Sequence, residues 1–162
     1  MSIEDVKALC VTNFPTSRSR PAIMEGLEKA LRLLHDHNIS AEVWLDGSFM
    51  TKKIDPADVD IILSINGEIF EKGSEKIKSV VMLFNDTSDL KSFFCHSYIL
   101  IMYPNSNDAT LRDGSTEDHN YWLELFGTSR GNDEKGINSS PGVEKGMALI
   151  TTPFKEDTIV RG

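Results

Sequence analysis

Two aspartates, in the order Asp58-Val59-Asp60, open the apolar run Ile61-Ile62-Leu63. Successive side chains on a strand point to opposite faces, so residues two apart share a face, about 6–7 Å apart along the backbone. The spacing predicts Asp58 and Asp60 on one face, with Val59, Ile61 and Leu63 turned into a core. Neighbouring carboxylates repel, and a raised pKa or a bound cation relieves the repulsion. Oxygen donors of this kind suit Mg²⁺, which accepts one or two carboxylates and fills its shell with phosphate oxygens and water. Upstream, Gly47-Ser48 follows a second apolar run. A tight glycine turn exposes backbone N–H groups that can bind phosphate. Thr51, Lys52 and Lys53 add positive charge close by.

The surrounding elements must hold these groups together. Ala41–Leu45 reads as a strand ending in the Gly47-Ser48 turn, and Asp55-Pro56 as a turn before a second strand over Asp58–Ile65. The unbroken Ile61-Ile62-Leu63 run places that strand in the sheet centre, buried on both faces. Phe93–Tyr103 is the third strand, stopped by Pro104, and Met147–Ile150 is expected at the sheet edge. Pro21 suits the first turn of a helix whose apolar face is Ile23, Leu27, Ala30, Leu31 and Leu34. His35 and His37, at its end, are two apart and do not share a helical face. A short helix fits Ile3–Leu9, and Ser74 caps another that carries Ile77, Val80, Val81 and Phe84. Ser115 with Asp118 resembles a capping box for a helix bearing Trp122, Leu125 and Phe126, ending at Gly127. Polar connections are expected over Gly67–Gly73, Asn105–Ser115 and Ser129–Ser140. Phe14–Pro21 reads as a loop whose Arg18 and Arg20 are either solvated or in contact with phosphate. The fold class is therefore α/β (α+β): a small mixed β-sheet with packed helices, in one domain spanning residues 1–162.

Composition narrows the partners. A net charge of −8 opposes non-specific binding to duplex DNA, which needs a broad basic surface. A nucleotide carrying its own Mg²⁺ needs only a few cations. Cys10 and Cys95 have no paired spacing and are expected as small buried hydrophobes rather than a disulfide or zinc site. No apolar run approaches the roughly 18–20 residues that cross a bilayer. The acidic start Met1-Ser-Ile-Glu-Asp5 lacks the features of a signal peptide. These features give the expectation of a cytoplasmic protein without a membrane partner.

An apolar strand, Gly-Ser, nine residues and then Asp-x-Asp on a strand together resemble the nucleotidyltransferase fold of the DNA polymerase beta type. Three stretches, Phe14–Pro21 (FPTSRSRP), Trp44–Leu63 (WLDGSFMTKKIDPADVDIIL) and Tyr121–Ile137 (YWLELFGTSRGNDEKGI), resemble more narrowly a family of small stand-alone nucleotidyltransferase-like proteins. The resemblance spans roughly residues 14–137. It implies transfer of a nucleoside monophosphate from a nucleoside triphosphate to an acceptor, which could be a protein, an RNA or a small molecule. It also implies Asp58 and Asp60 as ligands of Mg²⁺ or Mn²⁺, and Gly47 and Ser48 as the cradle of the β- and γ-phosphates. Lys52, Lys53, Arg130 and Lys135 would supply further phosphate contacts.

The chain departs from that pattern at the third strand. Active members of the fold commonly carry a third carboxylate there, but Phe93–Tyr103 contains no Asp or Glu. His96 or Ser97 stands at about that place, and neither is a good ligand for a hard cation. Three readings follow: a two-carboxylate site; a carboxylate supplied from elsewhere, such as Asp86, Asp89 or Glu117; or a nucleotide- or protein-binding module that has lost transfer activity.

Overall fold

A computed structural model describes residues 1–131, 140–144 and 147–153, the backbone alone for 127–131 and 140–144. The first helix, α1 (Ile3–Lys7), is closed at its N-terminus by a reciprocal pair. Ser2 Oγ accepts from the Asp5 N–H, and the Asp5 carboxylate accepts from the Ser2 N–H. A wider π-helical turn continues it through Ala8–Thr12. Helix α2 (Arg20–Asp36) has Pro21 in its first turn and buries Ile23, Leu27, Ala30, Leu31 and Leu34, the stripe expected from their spacing.

The strands β1 (Ala41–Asp46), β2 (Val59–Asn66), β3 (Cys95–Met102) and β6 (Ala148–Thr152) form one sheet in the order β3-β2-β1-β6. β1 runs antiparallel to both β2 and β6, whereas β2 and β3 are parallel. The sheet is mixed, β2 is central, and β6 lies on the edge. The continuous apolar run in β2 is buried for the expected reason, because both sheet faces are covered. Val59, Ile61, Leu63 and Ile65 join Val43, Leu45 and the α2 stripe in the larger core, which α4 (Glu75–Met82) completes with Val80 and Val81. On the opposite face, Trp44, Ile62 and Leu100 pack with Phe126 and Trp122 of α6 (Ala109–Gly127). A separate hairpin joins β4 (Thr128–Gly131) and β5 (Ser140–Glu144).

Several connections are more ordered than their polarity suggested. Residues 67–73 contain helix α3 (Gly67–Lys72), because Asn66 Oδ1 accepts from the N–H groups of Glu68 and Ile69 and starts a turn. Ser74 caps α4 as expected, accepting from the Ile77 N–H. A short helix, α5 (Ser88–Ser92), precedes β3. The loop expected over Asn105–Ser115 ends early: α6 begins at Ala109, where Asp108 Oδ1 accepts from the N–H groups of Thr110 and Leu111. Ser115 is therefore not a cap. It lies buried inside α6, accepting from the Tyr103 N–H and donating to the Arg112 carbonyl. Cys10 and Cys95 are buried free thiols, as expected. No helix among the described residues is long and apolar enough to cross a membrane.

Arg20 corrects the reading of the first arginine loop. It is neither solvated nor available to phosphate, but completely buried. Its guanidinium stands 3.7 Å over the Phe14 ring and donates to the carbonyls of Cys10, Phe49, Thr51, Lys53 and Ile54. Only a planar fork with several fixed donors can serve so many acceptors at once. Asp55 binds the same loop from the other side: its Oδ1 accepts from the N–H groups of Arg18 and Ser19 and from the Ser17 hydroxyl. These donors, the Arg18 N–H foremost, hold the Asp55 pKa below its usual value. The Phe14–Pro21 segment therefore fixes the linker between the Gly-Ser turn and β2.

Candidate functional site

Register builds the site. In the β1–β2 pairing Asp46 lies opposite Asp60, and in the β2–β3 pairing Asp60 lies opposite His96. These three side chains form a row across the sheet, on the face that α6 covers further along. The next row on that face is Trp44, Ile62 and Tyr98, an apolar floor packed against Trp122 and Phe126. A polar row thus emerges at the edge of an apolar, largely aromatic one.

Asp60 is half-buried and carries most of the electrostatic tension. Its pKa is raised from 3.8, first by burial and then by repulsion from Asp58, with a smaller contribution from Asp46; His96 partly offsets this. Asp58 sits just before β2 rather than within it, two residues along an extended segment from Asp60. Asp58 is near enough for its charge to act on Asp60. Asp46 was not anticipated. It is a buried carboxylate at the end of β1, and its one trace in the sequence is an Asp directly before Gly47, after the apolar run Val43-Trp44-Leu45.

His96 is tied on both ring nitrogens. Nδ1 lies 3.3 Å from Asp60 Oδ1, and Nε2 lies 3.1 Å from both Asp86 Oδ1 and the Tyr98 hydroxyl. Asp86 reaches this position from a left-handed backbone conformation, φ 52°, which Asp tolerates, with its N–H bonded to the Ser97 carbonyl. Lys91 Nζ pairs with the other Asp86 oxygen at 3.1 Å. Burial, followed by the charges of Asp86 and Asp60, raises the Tyr98 pKa, so the phenol keeps its proton. Among the carboxylates considered as substitutes on the third strand, all three are exposed, and Asp86 is the one whose contact with His96 brings it to the site; Asp89 lies on α5 and Glu117 on α6. Ser97 is buried on the opposite face, paired with Ile61.

Gly47 meets the carboxylate row directly. Its φ is +80° and its ψ is −168°, a conformation that is essentially restricted to glycine. A Cβ there would collide with Asp60 Oδ2 and stand 3.0 Å from Asp60 Cγ. The turn therefore needs glycine both for its dihedral angles and for room beside Asp60. Gly47→Ala is expected to cost about 1–3 kcal/mol, the usual range for a residue forced into such a conformation. Urea unfolding would measure the loss, and unchanged stability would mean that the turn has another geometry. Ser48 begins a single 3-10 turn, Ser48–Met50, in which the Ser48 carbonyl accepts from the N–H and hydroxyl of Thr51.

Neither of the two proposed cations whose side chains are described is seen in contact with this row. Lys52 and Lys53 are exposed; Lys52 lines a groove with Cys10, Phe14 and Phe49, and Lys53 gives its carbonyl to Arg20. Arg130 lies in β4, and Lys135 lies outside the described residues. Among the described residues no group of three or more His, Cys, Asp or Glu side chains is arranged to hold a metal ion. The donor set still fits a hard cation of the Mg²⁺ type, because Asp58 and Asp60 are carboxylates and phosphate oxygens and water can supply the other ligands.

Against known proteins, the family model described as "Family of unknown function (DUF6932)" matches residues 1–140. The chain belongs to this family. The match takes in the whole carboxylate row of this DUF6932 protein, together with the arginine-bound loop. No curated protein and no solved structure matches it.

Proposed function

We propose that the chain is a metal-dependent nucleotidyltransferase that moves a nucleoside monophosphate from a nucleoside triphosphate to an acceptor. The observation that carries this reading is the contact of Gly47 with Asp60: a glycine turn abuts a carboxylate that burial and Asp58 make reluctant to ionise. Asp58 and Asp60 would hold Mg²⁺ or Mn²⁺, and the cation would neutralise charge developing on phosphate oxygens. The residues of the chain do the rest. Gly47 and Ser48 orient the phosphate tail, the Arg20-bound linker holds the turn and β2 in fixed relation, and the Trp44–Ile62–Tyr98 floor keeps water from beneath the row. In the transfer, the acceptor oxygen bonds to the α-phosphorus, the bond from that phosphorus to the pyrophosphate oxygen breaks, and pyrophosphate leaves. The hydroxyl proton passes to solvent or to a carboxylate of the row.

One observation favours a second reading, a nucleotide-binding module without transfer. His96 fills the place of a third carboxylate and bridges Asp60 to Asp86. Incubation with each of the four triphosphates and Mg²⁺ or Mn²⁺, following pyrophosphate release and label transfer, separates the two. Release with at least one triphosphate supports the transferase, whereas binding without release supports the module. His96→Asp is expected to increase release by restoring a hard ligand. A variant that binds triphosphate but shows no gain would mean that the missing carboxylate does not limit the reaction.

A further inference from the structure

Phe94 stands between α5 and β3 with φ +58°, and it is 46% exposed. A bulky residue in the left-handed region is strained, and a ring left in water forgoes burial. Glycine would avoid both costs. The conformation is nevertheless held from three sides. The Phe94 N–H donates to the Lys91 carbonyl, and the Phe94 carbonyl accepts from the Val59 N–H, both at 3.0 Å. Gly26 of α2 lies so close to the Phe93 carbonyl that a Cβ there would overlap it. Strain that its surroundings over-determine gathers at ligand sites.

A pocket of about 290 Å³ opens beside this residue, lined by Ala57, Asp58, Lys91, Phe94, Cys95 and His96. It is small even for a small-molecule site, and suits one ring system rather than a whole triphosphate. Because the row runs Asp46, Asp60, His96, this pocket lies on the β3 flank of Asp60 and Gly47 on the β1 flank. Lys91 is already paired with Asp86, and Asp58 brings negative charge, so a bare phosphate is poorly served. An uncharged planar ring with polar edges fits: it can stack on Phe94 and donate a hydrogen bond to Asp58.

We propose that this pocket binds the base of a nucleoside, stacked on Phe94, at a position separate from the triphosphate tail. The proposal rests on the reading above for where that tail lies. Equilibrium dialysis of the full chain against labelled adenosine, guanosine, cytidine and uridine tests it, with ribose as the base-free control and Mg²⁺-tripolyphosphate as a separate arm. At least one nucleoside should bind where ribose does not. Phe94→Gly should raise the melting temperature and weaken nucleoside binding roughly tenfold to a hundredfold, the usual consequence of losing one stacking partner. Phe94→Trp should retain binding, and Phe94→Leu should lose it without altering the fold. Nucleoside affinity unchanged in both Phe94→Gly and Phe94→Leu overturns the proposal, as does a wild type that binds nucleoside no better than ribose. Failure of the triphosphate reading looks different: tripolyphosphate binding would ignore Mg²⁺ and the Asp58 and Asp60 substitutions, while the nucleoside arm stood.

Discussion

Asp60→Asn should remove nucleotidyl transfer while leaving the fold as stable as before or more so. The loss is expected to be about a thousandfold, since a metal site contributes several kcal/mol of charge stabilisation in such reactions. The gain in stability follows from the pKa. Burial, Asp58 and Asp46 raise the Asp60 pKa above 3.8, so the folded chain holds that proton more tightly than the unfolded chain. This contribution to stability is complete below 3.8 and is lost as the pH rises through the higher folded value. At neutral pH the ionised carboxylate therefore works against folding, and a neutral amide of the same shape removes that cost. Urea midpoints of wild type and variant should differ in favour of the variant at pH 7 and converge in acid. A variant clearly less stable at pH 7 would show that the His96 contact outweighs burial and repulsion.

Arg20→Met should have the largest effect on stability. Methionine keeps much of the apolar packing against Phe14 and Phe49 but leaves the carbonyls of Cys10, Phe49, Thr51, Lys53 and Ile54 without their donor. Each buried acceptor left without its donor typically costs about 1–3 kcal/mol, so the loss of several should be severe. A domain of this kind is stable by only about 5–15 kcal/mol. Arg20→Lys should recover little, because one ammonium cannot reach carbonyls spread around a planar fork. Denaturant unfolding of both variants checks this, and a loss below about 1 kcal/mol in Arg20→Met would return Arg20 to the surface.

Much of the fold was legible because the sheet strands are strongly apolar and α2 keeps its stripe. Strands expected near 41–45, 58–65 and 93–103 are found at Ala41–Asp46, Val59–Asn66 and Cys95–Met102. Local polarity misled where a single side chain started a helix. Asn66 and Asp108 cap α3 and α6 within stretches that read as loops. Within the site, Asp58 and Asp60 could be paired from spacing alone, and Gly47 could be assigned to a turn. Its collision distance from Asp60 could not, because it depends on β1 and β2 being antiparallel neighbours. Asp46 was missed, and Asp86 could not be separated from Asp89 and Glu117, for the same reason: one joins by register, the other through a turn beside β3. Arg20 was misread because an arginine among Ser and Pro looks solvated, and only the folded loop supplies carbonyls converging on its guanidinium.

The central claim is that Asp58 and Asp60 share a cation that carries the triphosphate. Its most direct test is calorimetric titration of a nucleoside triphosphate into the full chain with and without Mg²⁺, repeated on the Asp58→Asn/Asp60→Asn double variant. Affinity should depend on Mg²⁺ in the wild type, and the double variant should lose that dependence. Equal affinity with and without Mg²⁺ in the wild type would contradict the account.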